Sequence, residues 1–390
     1  FIKRRNYFEA ITEIRLAAMT PVVLRRFKEL LESITLFAKQ NDDDDLALEI
    51  ALKIISSNVD RIPPKVKEQR FLSLDSISNV LKLDWLSVRV KYQLGYHYIG
   101  IPDRVSEGFI CLFKALYILE HTIVDPKMKY NVNAYVGYTA YVYEQYSLSK
   151  RHFKKAVATE NYIGHGAYNN LALAYTRLKK LDSANYYFSL AKQYAISRNN
   201  TEWVTIINGN IGENLYRKGE FDAALPLLIE DANMSLSKGW FGNASNALIY
   251  IAASYLALDE PIKSEKFMWR AYSAAKKDKE LRRMKPIYRQ LSKWFAYNDD
   301  ATNTLIYSDS LEFVTNQLRS NSNRFSGFEA DKLVNLNAKQ ITLLQKEQDQ
   351  ELSEKILLII IGVSMFGLVI LMLLFLNYRA NKKLKEKSLA

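Results

Sequence analysis

The sequence predicts an all-α protein: a superhelix of stacked helical hairpins, followed by a long connector helix and one transmembrane helix. Three observations carry that prediction. Amphipathic stretches with apolar residues three and four apart alternate with short polar turns, and strand-like alternation is scarce. Glycine and proline number only 14 and 8 in 390 residues, too few for a glycine-rich nucleotide-binding fold or a turn-rich β-sandwich. Near the C-terminus, residues 356–376 hold no charge, proline or amide.

Residues 1–90 read as a degenerate helical-hairpin region. The chain begins at Phe1 rather than Met, so the expectation is a removed upstream segment or a fragment. Pro21 starts a helix that runs through Gln40. The acidic run Asp42–Asp45 suits a turn and helix cap. A calcium loop would need ligands at alternating positions, a glycine and a distal glutamate. Ile62, Pro63 and Pro64 break the chain, and Phe71–Leu83 begins another hairpin.

Residues 91–320 repeat. In the stretch from Ala167 to Ala195, Leu171, Ala172 and Tyr175 are followed by Ala184, Phe188 and Ala191. Ile211, Gly212 and Leu215 come next, with Gly219 at the turn and Phe221, Ala224 and Leu228 after it. Ala252, Tyr255, Ser264, Met268 and Ala271 continue the series. Upstream are Gly137, Ser149, Phe153 and Ala156, and a weaker unit with Leu94, Gly95, Tyr98, Gly108, Leu112 and Ala115. The last weak unit has Leu291, Ser292 and Phe295, with Ser308 where a large apolar residue belongs. A small residue lets two helices of a hairpin approach, and the large ones fill the seams.

This pattern resembles the tetratricopeptide repeat. The small first-helix residues fall at 95, 137, 172, 212, 252 and 292, so three consecutive intervals are 40 residues against a consensus of roughly 34. The longer period implies longer second helices or linkers. In that family the first helices supply the concave face. The resemblance therefore places a candidate protein- or peptide-binding groove at Tyr138, Tyr141, Asn169, Arg177, Glu213, Tyr216 and Arg217. Aromatic rings interleaved with arginine suit a peptide, through stacking and charge-assisted hydrogen bonds. Leu173 stands where the carboxylate-clamp asparagine of some repeat proteins is expected, so that clamp is not reproduced.

Residues 321–355 read as a helical connector. Val334, Ile341 and Leu344 start a heptad that Gln348 interrupts, which specifies a coiled coil poorly. The apolar segment 356–376 has 21 residues, and at ~1.5 Å each it matches a hydrocarbon core of roughly 30 Å. Residues 377–390 form a basic juxtamembrane tail with Arg379, Lys382, Lys383, Lys385 and Lys387. The other flank mixes Lys339, Lys346 and Lys355 with Glu347, Asp349, Glu351 and Glu354. The positive-inside rule then puts the tail in the cytoplasm and the repeats outside it, as a single-pass protein of a bacterial inner membrane. A tail anchor with cytosolic repeats is the competing topology.

Composition and motifs exclude most chemistry. Hydrophobic residues at 48% and charged residues at 25% exclude global disorder. Cys111 is the one cysteine, which excludes an intrachain disulfide and a multi-cysteine zinc site; its apolar surroundings read as core. His97, His121, His152 and His165 show no metal spacing. Gly164-His165-Gly166 lacks a third glycine and a preceding strand, and reads as a turn. The net charge is +12, but outside the tail the basic residues lie scattered among acids, which reads as a solvated surface. The expectation is therefore no enzyme, no cofactor, no metal and no direct nucleic-acid binding.

The order of elements resembles a bacterial family of membrane-bound signalling proteins with an extracytoplasmic tetratricopeptide array, a connector, one span and a cytoplasmic kinase or helix-turn-helix output. The resemblance covers residues 90–390. It implies a membrane-anchored sensor that couples a protein or peptide bound on the concave face to an output absent from this chain. A membrane-tethered assembly scaffold without signalling is the alternative. A homodimer through the connector or an output domain is left open.

Overall fold

The computed structural model describes residues 21–57, 62–122, 126–159 and 164–326, together with Ser353. Most of the predicted connector, the predicted span 356–376 and the basic tail lie outside the described residues. Among the described residues there is no strand, and no helix is long and apolar enough to cross a membrane.

Among the described residues fifteen α-helices follow one another. The first five are α1 (Pro21–Gln40), α2 (Asp44–Ser57), α3 (Pro64–Val80), α4 (Asp84–Ile99) and α5 (Val105–His121). Next come α6 (Pro126–Val142), α7 (Tyr146–Val157), α8 (His165–Arg177), α9 (Leu181–Ser197) and α10 (Thr201–Lys218). The last are α11 (Phe221–Ser237), α12 (Phe241–Ala257), α13 (Pro261–Asp278), α14 (Leu281–Tyr297) and α15 (Ala301–Ser326). From α4 onward the helices pack as hairpins, α4 on α5 through α14 on α15, and each hairpin packs on the next.

The local signals act where the sequence places them. The Asp43 carboxylate accepts the Leu46 backbone N–H at 3.1 Å, so the acidic run caps α2. Pro64 opens α3, where its missing N–H costs nothing. Gly219 closes α10 in the left-handed region at φ 85°. Gly164 precedes α8 in extended conformation, so the Gly-His-Gly stretch is a helix start.

The repeat register is reproduced in the core. Leu171, Ala172, Ala184, Phe188 and Ala191 are fully buried together with Phe153, Ala195 and Ile207. Each large side chain among them stabilises by roughly 1.5–3 kcal/mol relative to exposure. A second cluster joins Ala224, Leu228, Ala252, Met268, Ala271 and Leu291. Gly212 sits where α10 meets α11: a Cβ there would lie 2.9 Å from Leu228 Cγ and 3.2 Å from the Ala224 carbonyl. In the last hairpin, Ser292 and Ser308 hydrogen-bond to each other at 2.8 Å, so a polar pair replaces the expected apolar seam.

The longer period has a broader origin than the one expected. Helices α10 to α13 are 17 or 18 residues long, and two- or three-residue linkers join them. The extra residues belong to the second helix, as expected, and to the first helix as well.

Candidate functional site

The first helices α6, α8, α10, α12 and α14 form the inner layer of the superhelix, and together they enclose a cavity of about 640 Å³. That volume lies within the range of small-molecule sites. The ion pair between Lys285 of α14 and Glu144 at the α6–α7 turn, 2.7 Å across, joins parts of the chain 141 residues apart beside this cavity.

Polar contacts in the inner layer run from one repeat to the next. Arg177 on α8 donates through Nε to Tyr141 on α6 at 3.0 Å and through Nη1 to Glu213 on α10. The same Glu213 Oε1 accepts from Arg217 Nε at 2.9 Å and from Tyr250 on α12 at 2.8 Å. Four successive inner helices are thereby tied together. Burial alone would raise the Glu213 carboxyl, but Arg177 and Arg217, with the hydrogen bonds from Arg217 and Tyr250, hold it down at about 2. Burial and the Glu213 charge push the Tyr250 phenol up to about 12.

Asparagines line the same layer. Asn210 donates to Asn169 at 2.8 Å, which fixes the Asn169 amide. Asn243 and Asn246 on α12 also face the cavity, and neither amide has a partner among the described residues. Each offers two donors and an acceptor, the complement of a peptide backbone.

The structure brings Tyr138, Tyr141, Asn169, Arg177 and Arg217 of the expected groove to the cavity wall. Glu213 lies behind the wall, 1% exposed, and holds the two arginines in place. Tyr216 packs against the Phe221 and Tyr250 rings at 5.6 and 5.3 Å, and it does not line the cavity.

Two groups were not singled out from the sequence. Arg282, Arg283, Lys285 and Arg289 of α14 line one wall, so basic residues that read as scattered are grouped by the fold. Their signal was the run Arg282-Arg283-Met284-Lys285, which helical spacing repeats at Arg289. Three are paired already: Arg282 with Glu280, Arg283 with Asp278, and Lys285 with Glu144. The other group is Asp231 of α11, whose carboxyl burial pushes up to about 7, against the hydrogen bond from Ser235. Among the described residues no cluster of histidine, cysteine and carboxylates could hold a metal. Burial pushes the Cys111 thiol up to about 11, as befits a core position.

No protein-family model and no curated protein sequence matches the chain. Solved structures do. A Rap protein complexed with Competence and Sporulation Factor matches at 15% identity and a TM-score of 0.55, over 89% of this chain and 97% of that one. NprR in complex with its cognate peptide NprX matches at 15% and 0.54, over 77% and 87%. Aspartyl phosphate phosphatase F from Bacillus subtilis matches at 14% and 0.51, over 87% and 93%. At these identities the likeness shows the fold alone: a tetratricopeptide-like helical-repeat protein.

Proposed function

We propose that this chain is the sensor of a membrane-anchored bacterial signalling protein, and that it binds a peptide in the cavity on its inner layer without catalysing a reaction. The observation that carries the reading is the cavity itself. Its walls combine uncommitted asparagine amides, tyrosine rings and positioned arginines, and this chemistry suits an extended peptide. Two proteins of similar fold were solved with Competence and Sporulation Factor and with the cognate peptide NprX, which supports a peptide as the ligand. The anchoring rests on the sequence of residues 356–376 and on its basic flank, which favours repeats outside the cytoplasm.

Peptide binding is tested with the purified full chain and a pool of randomised heptapeptides. The chain should retain a subset of the pool. Asn246→Trp, which fills the cavity, should abolish retention with thermal unfolding unchanged. Retention unaffected by that substitution would place binding elsewhere. Topology is tested with a reporter active only outside the cytoplasm. Placed after Ser320 in the encoded protein it should be active, and placed after Ala390 it should be silent. The reverse pattern would establish cytosolic repeats and a tail anchor.

A further inference from the structure

Most of the cavity wall belongs to the inner helices. Phe153 of α7 and Asp231 of α11 are among the residues that line it from the second, outer helices. Each stands behind a glycine of the inner helix of its own hairpin. A Cβ at Gly137 would lie 3.0 Å from the Phe153 ring, and one at Gly209 would lie 2.6 Å from Asp231 Cγ. The missing side chain at Gly209 lets α11 bring its carboxylate up to the cavity beside Ile206 and Asn210 of α10.

Asp231 is 6% exposed. Ser235 Oγ donates to its Oδ1 at 3.0 Å, and its Oδ2 has no partner among the described residues. No lysine or arginine pairs with it there. Among the described residues the charge acting on it is that of Glu230, which accepts from Thr205 of α10 at 3.2 Å. All but one of the cavity's cations are committed by contrast. Glu213 holds Arg177 and Arg217, three α14 cations have acidic partners, and Arg289 alone has none among the described residues. A buried carboxylate without a counter-charge is unfavourable, and a cation arriving there would relieve it. Burial keeps the carboxyl half protonated near neutral pH, so a cation that binds there displaces its proton.

We propose that Asp231 receives the cationic group of the bound peptide, an ammonium or a guanidinium, and so imposes a positive charge at one position of it. The proposal rests on the reading of the cavity as a peptide groove. The group can be the peptide's own N-terminus or a lysine or arginine side chain, and both present the same chemistry to the carboxylate.

The test sequences the heptapeptides retained by the full chain from two pools, one with free N-termini and one N-acetylated. Wild type should enrich lysine or arginine about tenfold at one position in both pools if a side chain supplies the cation. If the N-terminus supplies it, retention should fall about tenfold in the acetylated pool. Asp231→Asn, which keeps the shape, should remove whichever preference is seen while still retaining peptides of other composition. Peptides retained without any cationic preference, or with one that Asp231→Asn leaves unchanged, would overturn the proposal and leave the groove standing. No retention from either pool would overturn the groove, and the proposal with it.

Discussion

Glu213 collects both arginines and the Tyr250 hydroxyl on one carboxylate oxygen, at a site 1% exposed. Replacing it by glutamine leaves two guanidinium groups facing a neutral amide. The arginines keep a fifth to a third of their surface in solvent, which moderates the loss. Glu213→Gln should therefore destabilise by about 3 kcal/mol, as read by urea unfolding at pH 7. The carboxyl sits at about 2 in the fold against 4.5 unperturbed. Its contribution is complete above pH 4.5 and is lost as pH falls towards 2, and the variant should lack that acid-side loss. Asp231 works in the opposite sense. Its folded value of about 7 lies above 3.8, so it favours the fold least once pH exceeds 7. The stability gap by which Asp231→Asn exceeds wild type should widen by roughly 3–4 kcal/mol between pH 4 and pH 8. A gap independent of pH would show that the carboxylate is solvated. The repeat register made Tyr141, Arg177, Glu213 and Arg217 legible as inner-layer positions. The contacts of Arg177 with Tyr141 and Glu213 were not legible, because each of those partners lies a whole repeat away. Asp231 was missed because it sits on an outer helix, and the one hint was the absent side chain at Gly209.

At the scale of the hairpin, small residues set how near two helices come. Gly212 lies against Leu228 and the Ala224 backbone, so Gly212→Leu should overpack the α10–α11 seam and destabilise by ~1–3 kcal/mol. Unchanged thermal unfolding would mean that the register is wrong. That register could be read in advance because alternation of small and large residues is a local signal. The lengthening of both helices was harder to see. Several close in the left-handed region on ordinary residues, Lys179 at φ 59°, Asn199 at 52°, Asp259 at 61° and Lys279 at 62°. Three of those ends have neither glycine nor proline, and only Pro261 after Asp259 marks where the next helix begins.

Across the whole described array, the cavity exists because the superhelix carries α14 round to the α6–α7 turn, where Lys285 meets Glu144. No local pattern encodes an approach between residues 141 apart, so the basic wall of α14 could not be assigned to a groove from the sequence. The central claim is that ligand enters this inner layer and not the outer face. It is tested most directly by replacing Tyr138, on the cavity wall and 45% exposed, or Tyr186, on outer helix α9 and 60% exposed, with a photoreactive phenylalanine analogue in the full chain. Irradiation with the heptapeptide pool should label the chain from position 138 and leave position 186 unlabelled. Equal labelling at both positions, or labelling from 186 alone, would contradict the account.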